Sequence, residues 1–153
     1  MSAAILFSHC LLNQNIIPDR LRFNPSELID VVLERGVAIV QMPQLEFERQ
    51  SWSKFEPGFE LECKNAACEI VSQIKSHIKE NVQVLAILGF DSSPLCGVKR
   101  AWRGHHSVRK KGVFIKELES VLHNERLQIP IIGIDPLNPT DSLRRVRLLL
   151  NYA

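Results

Sequence analysis

Two cysteines near the ends of predicted strands are the residues best suited to chemistry in this chain. Cys10 follows an apolar run at residues 3–7, and Cys96 lies in the loop after a second apolar run at residues 82–88. The 92–97 loop, Ser-Ser-Pro-Leu-Cys-Gly, adds two hydroxyl groups, while its proline and glycine fix an unusual backbone path. Thiolates are nucleophiles and ligands for soft metals, so this pattern predicts a thiol-dependent site.

Length and composition predict a single α/β domain over residues 1–153. Hydrophobic residues make up 45% and charged residues 24%, and a net charge of +2 indicates no particular partner. The apolar runs are shorter than the roughly 20 residues that span a bilayer, and the N-terminus lacks the basic region of a signal peptide. We therefore expect a cytoplasmic protein without a membrane partner, whose four cysteines are free thiols.

The elements that must position the two cysteines alternate between strand and helix four times. The sequence predicts strands at residues 3–7, 37–42, 82–88 and 129–134, and helices at 25–35, 60–80, 113–124 and 139–150. Continuous apolar strands joined by crossover helices predict a three-layer Rossmann-like fold with a four-stranded parallel sheet. Right-handed crossovers favour the strand order 2-1-3-4.

This strand order brings distant residues to one edge of the sheet. In open parallel sheets, ligands bind beyond the carboxyl ends of the strands where the winding direction reverses. Here the reversal lies between the first and third strands, which lead into Cys10 and the 92–97 loop. The second strand delivers residues 43–46 to the same edge. We therefore expect the two cysteines to converge on one crevice.

Three short motifs resemble the signatures of the 2-thiouracil desulfurase (TudS-like) family. Residues 8–13, Ser-His-Cys-Leu-Leu-Asn, resemble its Cys-Leu-Leu signature. Residues 41–46, Gln-Met-Pro-Gln-Leu-Glu, occupy the place of its Cys-Pro-Glu element, and residues 93–97, Ser-Pro-Leu-Cys-Gly, resemble its Ser-Pro-Ser-Cys-Gly motif. The resemblance spans residues 8–97 and implies an enzyme that removes sulfur from a thiolated pyrimidine.

The resemblance also implies a [4Fe-4S] cluster held by three cysteines, with one iron left open for the sulfur of the substrate. Cys10 and Cys96 match two of these ligands, whereas the third position falls on Gln44, a poor ligand for iron. Either Cys63 or Cys68 supplies the third thiolate, or the cluster is absent. The alternative for both cysteines is structural burial in the second long helix.

The resemblance further assigns roles to residues around the expected crevice. It implies a catalytic role for Glu46 in proton transfer and for Ser92 or Ser93 in positioning the substrate. Candidate substrate-binding residues are Asn13, Gln44, Lys99 and Arg100. The alternatives are structural roles. Glu46 would be a solvent-exposed charge, and the two serines and Asn13 would form turns.

A basic segment, residues 99–111, is the one strong cluster of charge in the chain. It interleaves Trp102 among lysines and arginines, a composition that suits phosphate and a stacked base. We expect a solvated loop here, with anion binding as the alternative. The second hypothesis for function is therefore a non-catalytic homologue that binds a nucleotide-like ligand, and a nucleic acid stays open. Trp52 and Phe55 are candidates for an exposed lid or a homodimer contact.

Overall fold

The computed structural model describes residues 2–54, 58–103 and 106–151, which are built around a parallel sheet. The strands are β1 (Ser2–Phe7), β2 (Ala38–Gln41), β3 (Val82–Phe90), β4 (Ala101–Arg103), β5 (His106–Val108) and β6 (Ile131–Ile134). Four of them form a sheet of order β2-β1-β3-β6 in which every pairing is parallel. The predicted strand order 2-1-3-4 is confirmed, with β6 as the fourth strand.

Four long helices lie in the predicted places, and a short helix follows the first strand, where none was predicted. They are α1 (His9–Leu12), α2 (Ser26–Glu34), α3 (Phe59–Lys79), α4 (Val113–Asn124) and α5 (Pro139–Asn151). α3 packs against α4 and α2 against α5, as expected when one helix pair covers each face of the sheet. Within the described parts of the chain, no helix combines the length and the apolar character needed to cross a bilayer.

The two central strands form the middle of the core. Residues 4–7 of β1 and residues 84–90 of β3 are buried on both faces, which explains their uninterrupted apolar sequences. Each run ends in a buried polar residue, Ser8 after β1 and Asp91 after β3. Buried polar side chains therefore follow the apolar residues directly, at the carboxyl ends of adjacent strands.

The basic segment is the main departure from the predicted fold. We expected a solvated loop, but β4 and β5 pair antiparallel, with Ala101 opposite Val108. The strand β4 is held against the 92–97 loop, because Ser92 donates its N–H to the Arg100 carbonyl and Trp102 donates to the Ser92 carbonyl, both at 2.9 Å. Each of these strands is only three residues long and lies among many charged residues. The alternation of apolar and polar residues that predicts a strand is therefore absent.

Candidate functional site

Three ligand-type side chains meet at the carboxyl edge of the sheet. They are Cys10, Glu48 and Cys96, and their sulfur and carboxylate oxygen atoms all lie within 4.8 Å of one another. The three residues are 0%, 1% and 3% exposed, so the group is closed to solvent. We call this group the thiol site. The predicted convergence of the two cysteines is therefore present.

Cys10 is fixed by the way the chain leaves β1. Ser8 donates its N–H to the Leu88 carbonyl of β3 at 2.9 Å, which extends the sheet by one residue before α1 begins. The Ser8 hydroxyl then lies 3.5 Å from the Cys10 sulfur. The Gln14 side chain donates to the Cys10 carbonyl at 2.9 Å. These contacts hold the thiol at the end of β1.

Cys96 is fixed by the tight 92–97 loop. Its N–H donates to the Ser93 hydroxyl at 3.0 Å, and its carbonyl accepts from the Phe90 N–H at 2.9 Å. Ser92 adopts a positive φ of 76°, a backbone conformation that non-glycine residues seldom adopt. The Gly97 carbonyl accepts from Gly112 at the start of α4 at 2.8 Å. Ser93 therefore shapes the loop that carries the thiol.

A buried aspartate, which sequence reasoning missed, anchors the same loop. Asp91 is 4% exposed, and one of its carboxylate oxygens accepts the N–H groups of Val98 at 2.9 Å and Lys99 at 3.0 Å. The carboxylate lies against Gly133 of β6, where an added Cβ would collide with it. Its position directly after a buried strand was the available signal, since a charged residue there needs partners.

Glu48 is the second residue that sequence reasoning missed. It lies on a turn in which its N–H donates to the Leu45 carbonyl at 3.1 Å, while its Oε2 accepts the Leu45 N–H at 3.3 Å. The other oxygen, Oε1, is buried without a hydrogen-bond partner in the described structure. The available signal was its spacing of three from Leu45, because residues three apart on a helical turn face the same side.

The thiol site is a place where negative charge is disfavoured. Burial raises the pKa of the Glu48 carboxyl to about 7, an effect that a backbone hydrogen bond from Leu45 and the Cys10 thiol partly offset. A hydrogen bond with Cys10, followed by burial, raises the pKa of the Cys96 thiol well above its usual value. Burial, with the charge of Glu62, raises the pKa of Cys63 to about 12. Without a cation, Cys96 and Cys63 are therefore neutral thiols near pH 7.

The remaining two cysteines lie outside the group of donors that could share one ion. Cys63 is buried on α3 but outside the group of mutually close donors, and Cys68 is exposed on the same helix. In an iron–sulfur cluster, cysteine thiolates bind the iron atoms. Here the third donor beside Cys10 and Cys96 is the carboxylate of Glu48. The donors that lie within 4.8 Å of one another are therefore two thiols and a carboxyl group, and not the three thiols that the family resemblance implies.

Glu46 and Gln44 lie outside the thiol site. Both are exposed, and the backbone N–H of Glu46 donates to the Glu62 carboxylate on α3. The carboxyl group that reaches the two thiols is that of Glu48, two residues further along the chain. The catalytic role predicted for Glu46 is untested, and its position offers no contact with the cysteines in support of that role.

The other predicted site residues make contacts of their own. The Asn13 amide lies 3.1 Å from a ring nitrogen of His9, and the Ser92 hydroxyl lies 3.2 Å from that of Ser107. Arg100 donates to the Ser107 hydroxyl at 3.1 Å, and Lys99 is exposed. Their proposed contacts with a substrate stay predictions.

Trp52 is not the exposed aromatic residue that we expected. It is 8% exposed, and its ring centre lies 6.2 Å from that of Trp102. The Arg20 guanidinium lies over the Trp102 ring, with its carbon 4.6 Å from the ring centre. Phe55 lies outside the described residues. Trp52 and Glu48 belong to the same loop segment, residues 44–54. The ring contact between Trp52 and Trp102 therefore packs this segment against the β4–β5 hairpin.

A basic cavity of about 640 Å³ lies beside the thiol site, between the starts of α3 and α4. Its lining residues are Glu60, Arg103, Lys110, Lys111, Val113, Lys116 and Glu117. Arg103 also donates to the carbonyl of Pro94 in the 92–97 loop at 3.2 Å. Cys63 lies close enough to Glu60 and Glu117 of the cavity, and to Glu48, for each of these charges to raise its pKa. The two regions are therefore neighbours.

Comparison of the chain with protein-family models, with curated proteins and with solved structures gives no match. The resemblance to the thiouracil desulfurases therefore depends on the three motifs alone. The thiol site and the basic cavity are the two features of the described residues that bear on function.

Proposed function

We propose that this chain is a desulfurase-like protein that removes sulfur from a thiolated small molecule of the thiopyrimidine type. The observation that supports the proposal is the meeting of Cys10 and Cys96 with a buried carboxyl group at one point. A neutral thiol is a weak hydrogen-bond donor that can face the sulfur of a thiocarbonyl group, and the carboxyl group supplies proton transfer beside it. The free cysteines suit the reducing cytoplasm, which we propose as the compartment.

The proposed reaction is hydrolysis of a thiocarbonyl group. The Glu48 carboxylate takes a proton from a water molecule, whose oxygen forms a bond to the thiocarbonyl carbon. The carbon–sulfur bond then breaks, and sulfur leaves as hydrogen sulfide with both protons of the water. A carboxyl group with a pKa of about 7 suits this exchange, because both of its protonation states are populated at neutral pH.

The proposal requires the segment that carries Glu48 to move. All three residues of the thiol site are buried, so a pyrimidine reaches them only when this segment swings away from the hairpin. Trp52 makes the contact that such a motion breaks, against Trp102. Segments that open and close over a site commonly move in microseconds to milliseconds, which is fast enough for turnover.

Sulfide release from 2-thiouracil by the anaerobically purified protein tests the proposal. We expect activity in the wild type, loss in Cys10→Ser and Cys96→Ser, and a reduction of about 100-fold in Glu48→Gln, since general base catalysis contributes about that much. Glu46→Gln is the matched control and should keep full activity. Activity that depends on Glu46 and not on Glu48 would restore the role that the family resemblance implies.

A second candidate function is binding of an anionic ligand without catalysis, and the basic cavity favours it. Four cationic side chains, those of Arg103, Lys110, Lys111 and Lys116, line a volume large enough for a nucleotide. This function predicts binding of a nucleoside monophosphate that weakens steeply with salt, because the attraction is between exposed charges. Binding should survive the double change Cys10→Ala with Cys96→Ala. Salt-independent binding would count against it.

A further inference from the structure

We propose that Cys10, Glu48 and Cys96 bind a single thiophilic divalent metal ion of the zinc class. This site differs from a four-iron cluster in both its donors and its size. It rests on the geometry of the three side chains and does not require the desulfurase activity. Zinc binding without sulfide release would leave this proposal intact and remove the other.

The distances suit one ion. Zinc bonds to sulfur at about 2.3 Å and to carboxylate oxygen at about 2.0–2.2 Å, so donors around a tetrahedral zinc lie roughly 4 Å apart. The three donor atoms here lie within 4.8 Å of one another before any ion is added. Only a small contraction is needed to bring all three into contact with the same centre.

The unpartnered oxygen of Glu48 indicates a missing positive charge. Glu48 is 1% exposed, and its Oε1 has no hydrogen-bond partner in the described residues, although its Oε2 is fixed by Leu45. A buried carboxylate oxygen without a hydrogen-bond partner is costly, because it loses its hydration without a compensating contact. A divalent ion between this oxygen and the two sulfurs would compensate for the loss and favour the thiolate forms.

Each donor is held in place by its own backbone contacts. Cys96 is fixed by the Ser93 hydroxyl at 3.0 Å, and Glu48 by the turn that starts at Leu45. The Ser8 hydroxyl, 3.5 Å from the Cys10 sulfur, is placed to donate a hydrogen bond to a metal-bound thiolate. A site assembled from three separate segments is thus largely prearranged.

The donor types restrict the ion. Two sulfurs and one carboxylate favour zinc or a similar borderline-soft ion over magnesium or calcium, which prefer oxygen ligands alone. Three protein ligands leave a fourth position open, as in catalytic zinc sites. In a closed site that position suits a water molecule or the sulfur of a ligand.

Cobalt(II) titration of the chelator-treated full chain, followed by displacement with zinc, tests the proposal. We expect one ion per chain and a cobalt–thiolate charge-transfer band that zinc removes. Cys10→Ser, Cys96→Ser and Glu48→Gln should each weaken binding about tenfold or more, whereas Glu46→Gln and Cys68→Ser should not change it. Because the cysteine variants could fail to fold, circular dichroism accompanies each titration, and Glu48→Gln alone still decides whether the carboxylate is a ligand.

Three outcomes would overturn the proposal. The first is the absence of stoichiometric binding by a folded wild-type chain. The second is binding that Glu48→Gln leaves unchanged while Cys63→Ser abolishes it, since the ligands would then be three cysteines. The third is incorporation of about four irons per chain after anaerobic reconstitution, with the broad visible absorption of an iron–sulfur cluster. The site would then hold a cluster and not a single metal ion.

Discussion

The thiol site and the basic cavity are neighbours, but their electrostatic environments differ. In the thiol site, burial raises the pKa of the Glu48 carboxyl, and a hydrogen bond with Cys10 followed by burial raises the pKa of the Cys96 thiol, so negative charge is disfavoured. In the cavity, the side chains of Lys110, Lys111 and Lys116 are exposed to solvent. A neutral, dehydrated pocket favours bond chemistry and metal binding, whereas an open cationic surface favours recognition of an anion.

The two regions also differ in rigidity. The loop that carries Cys96 is fixed by a buried aspartate, by its own serine and by the start of α4. Of the residues that line the cavity, Glu60 and the three lysines are exposed to solvent. Changes in the thiol site should therefore alter stability and metal binding, while changes in the cavity should alter only ligand affinity.

The largest effect is expected from Gly97→Ala. A Cβ at this position would overlap the Arg100 carbonyl oxygen and lie 2.8 Å from that of Ser93, and neither backbone group can move aside easily. We expect a loss of about 3 kcal/mol or more in the free energy of unfolding, measured by urea denaturation. Gly58→Ala, two residues before Glu60 of the basic cavity, is the control, because an added Cβ there has no atom within 4 Å in the described structure. Equal losses in both variants would contradict the difference in rigidity.

A similar effect is expected from pH, through Glu48. Its pKa of about 7 in the folded protein exceeds its ordinary value of 4.5, so the folded chain binds more protons than the unfolded chain between these values. The free energy of unfolding of the metal-free protein should therefore fall by about 3 kcal/mol as pH rises from below 4.5 to above 7.

Urea denaturation in the presence of a chelator at about pH 4, 6 and 8 measures this loss of stability. Glu48→Gln should abolish the part of the pH dependence that comes from Glu48. Glu60→Gln, an exposed carboxylate that lines the cavity, is the matched control and should keep the wild-type profile. A wild-type profile in Glu48→Gln would mean that the carboxyl group is not desolvated in the folded protein.

A smaller effect is expected from Asp91→Ala. The change leaves the N–H groups of Val98 and Lys99 without their carboxylate acceptor, which should cost about 2 kcal/mol. Thermal unfolding measures the loss. Asp91→Asn keeps one acceptor oxygen and should recover most of the stability, so similar losses in the two variants would show that charge matters more than the hydrogen bonds.

The smallest effect is expected in the basic cavity. Lys116→Gln should weaken binding of a nucleoside monophosphate about two- to fivefold and reduce its salt dependence, because exposed ion pairs contribute less than about 1 kcal/mol. Calorimetry at two salt concentrations measures both quantities. Lys79→Gln, at the exposed end of α3, makes the same change in net charge away from the cavity and should leave binding unchanged.

The fold was largely predictable, and the thiol site was only partly so. The sheet order followed from four apolar runs and their crossover helices, and it brought Cys10 and Cys96 to one edge. The acidic partner was placed on Glu46 by a motif, whereas the residue that faces the thiols is Glu48. The hairpin β4–β5 was also missed, because its strands are three residues long and dense in charge.

The sequence by itself determined the parallel sheet and the meeting of two cysteines, because long apolar runs and the handedness of crossovers leave few arrangements. Only the tertiary structure decided which carboxyl group joins them. The direction of a side chain in an irregular segment depends on backbone angles set by distant contacts. Here the turn at Leu45 points Glu48 inward, while Glu46 faces solvent beside Glu62.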